Sequence, residues 1–340
     1  MKIHAHKIAS SAYRMELGHE VEYSRRVEAR TGQLVVVRAL EEKRVYDVLE
    51  LATGRLAHIS KGDVLVGALG SRAALAGFVG RVPERIKAGD VLHVLNLGGV
   101  IGECISNNQD VGKPLQVEMI GGVTRGGEPI NIRDGAIPPA TSLTMSAPLV
   151  LVSGTCMDSG KTRAATEIIF HLTQRGYRVG AAKLTGVAAQ RDPLGMMDHG
   201  AFEALSFLDC GVPSTSDCED LPQVAKAVLN QLCVDGADVV VAETGDGIIG
   251  SYGVRRLLED EEIRAAAKCH VLTANDLVAA WGAKKLMEDE LGLKIGVMAG
   301  PATDNEVGVR YVEDQLGIVA ANARTNGKRL VDAVEEVTLS

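Results

Sequence analysis

The segment Ser153-Gly154-Thr155-Cys156-Met157-Asp158-Ser159-Gly160-Lys161-Thr162 concentrates the residues best suited to chemistry in this 340-residue sequence. It follows an apolar run, Pro148 to Ser153, and leads into a stretch with helical spacing from Lys161 to about Arg175. A glycine-bearing turn between a buried strand and a helix points its backbone N–H groups inward. The helix N-terminus adds partial positive charge, so such a turn suits polyphosphate. Lys161 can bridge the β- and γ-phosphates of a nucleoside triphosphate, and the Thr162 hydroxyl can ligate Mg²⁺. Gly154, Thr155, Cys156, Met157, Asp158, Ser159 and Gly160, with Arg163 just inside the helix, complete the expected nucleotide-binding set. Five residues separate Gly154 from Gly160, where four are usual.

The elements that must hold this turn are legible as alternation. Strands are expected at Arg178 to Leu184, Asp238 to Glu243, Cys269 to Thr273, Lys294 to Ala299 and Ile318 to Ala321. Between them fall helices at Met197 to Leu208, Leu221 to Val234, Val254 to Ala267, Asp276 to Leu291, Glu306 to Leu316 and Lys328 to Val337. The fold class is therefore α/β, with a mostly parallel sheet, helices on both faces and ligands at the C-terminal ends of the strands. Residues 148–340 form this domain. Residues 1–120 read as a β-rich domain, a small barrel or sandwich, because short β-branched runs such as Gln33 to Arg38 and Asp63 to Leu69 alternate with glycine turns. Lys61-Gly62-Asp63-Val64-Leu65 and Ala88-Gly89-Asp90-Val91-Leu92 repeat one turn-and-strand pattern. Residues 121–147, with Gly121-Gly122, Gly126-Gly127 and Pro138-Pro139, read as the linker.

Composition excludes several functions. A formal net charge of −8 supplies no basic field, which argues against nucleic acid or an anionic membrane as partner. No apolar run is long enough to span a bilayer and the N-terminus lacks a hydrophobic signal core, so a cytoplasmic protein is expected. The six cysteines contain no CxxC pair and suggest neither a zinc ribbon nor a disulfide framework.

Gly154, Thr155, Asp158, Gly160, Lys161 and Thr162, in that spacing, resemble the phosphate loop of dethiobiotin synthetase and its relatives among the P-loop NTPases, a group that includes nitrogenase iron protein and the Min ATPases. The early lysine of the Min and nitrogenase branch is absent here, which favours the ligase-like branch. The resemblance implies ATP and Mg²⁺ as cofactors. It also makes Lys183 a second catalytic residue beside the γ-phosphate, with Thr185 and Gly186 near the substrate. The strand ending in Glu243 is similar to the family's second acidic strand, so Glu243 should reach Mg²⁺ or its water. Asp192 and Asp198 are further Mg²⁺ candidates, since Mg²⁺ takes one or two carboxylates beside phosphate oxygens. Asp198 reads equally as a helix N-cap and Asp192 as a turn residue before Pro193. Asp246 either adds a ligand or shapes the turn between its two glycines. Asp276 reads as the cap of the following helix.

The reaction implied is ATP-dependent, ligase-like activation of a small carboxylate or carbamate for capture by an amine. Two alternatives stand beside it: a nucleotide-dependent assembly module, and a regulatory ATPase whose N-terminal barrel binds a ligand or partner. The expected partners are a small-molecule substrate and a second copy of the chain.

Overall fold

The computed structural model describes residues 1–339. These form two compact units. The first comprises residues 1–137 with 187–191 and 207–219; the second comprises 138–186, 192–206 and the chain from Asp220 onward.

The second unit is built on one parallel sheet of seven strands among the described residues. Their order is Glu203–Ser206, Val179–Lys183, Val239–Glu243, Leu149–Gly154, Ala267–Thr273, Val297–Ala299 and Val319–Ala320. Its central strands are almost wholly apolar and buried, as strands covered on both faces must be. On one face Val150, Val152, Val239 and Val241 pack with Ala164, Ala165, Ile168, Ile169 and Leu172 of the helix Lys161–Gln174 and with Leu330, Val331 and Val334 of the helix Gly327–Thr338. The i, i+4 spacing of those helical residues is what makes the apolar stripe. Gly180, pointing the other way along its strand, lies against Leu232 of the helix Leu221–Val234, so the opposite face is covered too. The α/β architecture with a parallel sheet is as the alternation predicts.

Two details differ. The helix expected at Met197 to Leu208 is instead Arg191–Asp198, and Glu203–Ser206 is an edge strand paired with residues 180–183. Pro193 sits in the first turn, where its missing N–H has no helical acceptor to lose, so it starts the helix rather than preceding it. The chain then turns at Gly200, φ 103°. The helix expected at Val254 to Ala267 is split into Val254–Glu259 and Glu261–Ala266, because the Asp260 carboxylate accepts the amides of Glu262 and Ile263, each at 3.1 Å, and caps the second piece.

The first unit contains a closed ring. Leu34–Ala39 pairs with Val64–Leu69, which pairs with Val100–Asn107, then Val91–Val94, then Leu115–Arg125, which returns to Leu34–Ala39. Closure makes it a barrel and not a sandwich, and removes free edges from these strands. Alternate residues, including Val35, Val37, Leu65, Leu92, Val94, Ile101, Val117 and Met119, fill it. The repeated turns are chemically equivalent: Asp63 accepts Ser60 N–H at 2.7 Å and Asp90 accepts Lys87 N–H at 2.9 Å. Gly62 and Gly89 donate to the carbonyls of Ala39 and Met119, each at 2.8 Å.

Within residues 121–147 the structure shows the end of the strand Leu115–Arg125, its hairpin partner Glu128–Pro129 and a short 3-10 helix, Ile132–Gly135. The pairing register shifts between Met119 and Gly121, and a Cβ at Gly121 would lie 2.2 Å from the Ser24 carbonyl oxygen. Glycine there permits a close strand approach and does not break the chain. Among the described residues no helix is long and apolar enough to cross a membrane, and no disulfide joins any of the six cysteines.

His270, on the central strand Ala267–Thr273, is 7% exposed and its Nδ1 has no partner among the described residues. Burial, aided by Arg264, lowers its pKa from 6.5 to about 4. The folded state holds the neutral ring, so its contribution is intact above 6.5 and is lost as pH falls towards 4, to a limit of about 3 kcal/mol. Denaturant unfolding of wild type and His270→Gln across that window should show the wild type losing stability faster. Parallel curves would contradict the reading.

Candidate functional site

The strand Leu149–Gly154 delivers the phosphate-loop residues to the C-terminal edge of the sheet, and the helix begins at Lys161. Both neighbouring strand ends pin the loop. Thr155 N donates to the Thr273 carbonyl at 2.9 Å, and the Ser159 and Thr273 hydroxyls lie 2.8 Å apart. From the other side Ile248 N donates to the Gly154 carbonyl at 2.9 Å. Gly247 lets this happen: a Cβ there would lie 2.4 Å from the Thr155 oxygen. Asp158 takes φ 58°, a left-handed conformation that aspartate tolerates better than most residues and that turns successive amides to one side. The first helical bond runs from Ala164 N to Gly160 O at 2.9 Å, so the amides of Lys161, Thr162 and Arg163 remain outside the helix's own ladder.

Lys161 is 6% exposed, and its Nζ lies over the loop, donating to the Cys156 carbonyl at 2.6 Å. Burial, then the nearby charge of Lys183, pull its pKa below the ordinary lysine value against the opposing pull of Glu243 and Asp246.

Parallel register sets Lys183 opposite Glu243, and Glu243 opposite Val152 of the loop-bearing strand. The Glu243 carboxylate is 1% exposed. Its Oε1 accepts Lys183 Nζ at 2.6 Å and Thr162 Oγ1 at 3.0 Å. Its Oε2 is buried with no partner among the described residues. Lys183 also lies 2.8 Å from an Asp192 oxygen. Burial alone would disfavour the Lys183 ammonium, but the two carboxylates outweigh it and hold the pKa above the ordinary lysine range. A hydroxyl and an orphaned carboxylate oxygen side by side are hard oxygen donors, the type Mg²⁺ selects. No group of three or more His, Cys, Asp or Glu among the described residues could hold a metal by itself.

The structure thus gathers Lys161, Thr162, Lys183, Asp192 and Glu243, with Asp246, φ 71°, close enough to act on the charge of Lys161. Asp198 is not gathered: it ends the helix whose first turn holds Asp192, exposed and about 9 Å further along the axis. Its expected role as N-cap also fails, since it lies at the other end of a helix. The Thr185 hydroxyl is fully buried and donates to the Gly245 carbonyl at 2.8 Å, holding the two strand-end loops together, with Gly186 following it. Arg163 pairs with Glu167 at 3.0 Å on the outer helix surface. Asp276 caps its helix through Ala279 N at 2.8 Å.

Sequence reasoning sees Thr273-Ala274-Asn275-Asp276 as the close of an apolar strand with a faint likeness to a guanine-reading motif, and misses the contacts that Thr273 and Asn275 make with the loop. Thr273 tethers the loop as described, and Asn275 Nδ2 lies 3.1 Å from Cys156 Sγ. The available signal was position: Thr273, like Glu243, is the last residue of an apolar strand.

No protein-family model matches the sequence, and no curated protein matches it. Among solved structures, the signal recognition particle 54 kDa protein from Aeropyrum pernix, in complex with GDP, aligns with 60% of this chain at 19% identity and TM-score 0.39; this chain spans 49% of its length. The signal recognition particle receptor FtsY from Elizabethkingia anophelis aligns with 61% of this chain and 75% of its own, at 15% identity and TM-score 0.38. A DUF1611 family protein from Anabaena variabilis aligns with 62% of this chain and 65% of its own, at 13% identity and TM-score 0.39. Likenesses this distant assign neither a family nor a ligand.

Lys183→Met would leave the buried Glu243 charge without its cation, a change that costs about 3–5 kcal/mol when a buried pair is broken. Chemical denaturation should show that loss at neutral pH, with Glu243→Gln added to Lys183→Met recovering part of it. A neutral Lys183→Met substitution would contradict the pairing.

Proposed function

We propose that the protein is a Mg²⁺-dependent phosphoryl-transfer enzyme that uses ATP to activate a small carboxylate or carbamate for capture by an amine. The observation that carries this reading is the Lys183–Glu243–Thr162 cluster beside the loop, with one Glu243 oxygen left without a partner. The loop amides and Lys161 would hold the β- and γ-phosphates, and Thr162 with Glu243 would hold Mg²⁺. When bound, the ion neutralises charge on the phosphate oxygens. Lys183 sits where it can stabilise charge on the transferring group, and charge stabilisation together with positioning accounts for most of phosphoryl-transfer catalysis. Glu243 and Asp192 keep Lys183 protonated for that task. The choice of ATP and of the ligase-like branch rests on the resemblance of the loop residues. A small-molecule substrate and a second copy of the chain are the proposed partners.

A regulatory ATPase is the second reading. It is favoured by the segments 187–191 and 207–219, which flank the Asp192 helix in the chain but belong to the barrel unit.

Phosphate release from Mg·ATP, measured across a panel of small carboxylates and amines, separates the two. The enzyme reading predicts release that requires both acceptors and falls about a hundred-fold or more in Lys161→Ala. Brisk release without any acceptor would favour the regulatory ATPase, and product formed without loss of ATP would rule out the ligase-like reaction.

A further inference from the structure

Lys161, Lys183, Asp192 and Glu243 all belong to the second unit and meet where the strands Val179–Lys183 and Val239–Glu243 end beside the helix Lys161–Gln174. Lys183 lies 2.6 Å from a Glu243 oxygen and 2.8 Å from an Asp192 oxygen. Lys161 is near enough to feel the charges of both Lys183 and Glu243. Asp246 acts on Lys161 too, but it is half-buried and its charge is partly screened by water. The side chains of Lys183 and Glu243 are only 12% and 1% exposed, so their charges act on each other and on any newcomer with little screening. Two ammonium groups here already meet two carboxylates.

The arrangement at Glu243 makes the balance local. Oε1 accepts Lys183 Nζ and, at 3.0 Å, the Thr162 hydroxyl, while Oε2 of the same carboxylate is buried with no partner among the described residues. A divalent cation that took Oε2 and the Thr162 oxygen would share one carboxylate with the Lys183 ammonium. Like charges sharing a site with little water repel strongly. A polyphosphate reverses the sum, because its oxygens offset the ion and both ammonium groups. Asp192 gives Lys183 a second carboxylate, so the ammonium stays paired when an ion takes up the Glu243 charge.

We propose that Lys183 shields Glu243 from free divalent cations, so that Mg²⁺ enters this site only together with the polyphosphate. This deepens the reading under Proposed function by setting the order of binding, and it rests on that reading for the identity of the joint ligand, Mg·ATP. The competition between Lys183 and a cation for Glu243 does not depend on the nucleotide.

The test needs no turnover. Full-length wild type, Lys183→Met, Lys183→Gln, Asp192→Asn and the double variant Lys183→Met/Glu243→Gln are titrated with Mn²⁺ in the absence of nucleotide. Mn²⁺ takes the same hard oxygen donors as Mg²⁺. Binding is read from the electron paramagnetic resonance signal of free Mn²⁺ and from the shift of the denaturant midpoint that binding to the folded state produces. Mn²⁺ affinity should rise about ten-fold or more from wild type to Lys183→Met, because repulsion between cations sharing one carboxylate amounts to more than that at the effective dielectric of a protein. Lys183→Gln, which drops the charge and keeps a hydrogen-bond donor, should gain similarly. Asp192→Asn leaves Lys183 on Glu243 and should gain nothing, which separates loss of the shield from general loosening. The double variant, without the carboxylate, should lose the gain. Unchanged Mn²⁺ affinity in both Lys183 variants would overturn the proposal, as would an equal gain in Asp192→Asn or in the double variant. Should Lys183→Met fail to fold, Lys183→Gln carries the test on the same terms. If Mg·ATP does not stabilise wild type, the proposed function fails, while the Mn²⁺ comparison still decides whether Lys183 shields the carboxylate.

Discussion

A carboxylate buried at the end of a central strand has to be met by positive charge, and the site is arranged around that requirement at Glu243. Its ammonium partner comes from the adjacent strand, because parallel register sets Lys183 opposite Glu243. Its hydroxyl partner comes from the first turn of the helix that follows the glycine turn. Lys183 also lies against Asp192, and with Lys161 nearby two ammonium groups balance two carboxylates in a place with little water. The strand that ends in Glu243 lies beside the strand that carries the loop, so the electrostatic demand of one side chain and the geometry of the glycine turn are met in one place.

The loop is held by close approach as much as by bonding. Gly247 brings one strand-end loop against Thr155, and Thr273 ties the other side through its carbonyl and hydroxyl. Asp158 in a left-handed conformation stores some strain, which surrounding contacts have to sustain. These contacts together fix the direction of the loop amides.

Much of this could be read from the sequence because local and tertiary signals agree there. The helix Leu221–Val234 ends where its periodicity ends, and the phosphate-loop helix starts at Lys161 as the glycine turn requires. Where signals conflict, the reading failed. Pro193 and the short run Glu203–Ser206 have too few residues for periodicity to separate a helix start from a helix end, so Asp198 was placed at the wrong helix terminus. Gly121-Gly122 looks like a breaker in sequence, while in the fold it admits a neighbouring strand. Ring closure pairs residues such as Arg38 and Glu118, 80 positions apart, which no local pattern reports.

The central claim is that the turn from Gly154 to Thr162 receives a polyphosphate. A crystal structure of the chain grown with Mg²⁺ and a non-hydrolysable ATP analogue tests it most directly. The account predicts β-phosphate oxygens at about 3 Å from the loop amides, the Lys161 ammonium against the β- and γ-phosphates, and the ion on the Thr162 hydroxyl. A triphosphate seated elsewhere, or a loop that takes none at saturating analogue, would contradict it.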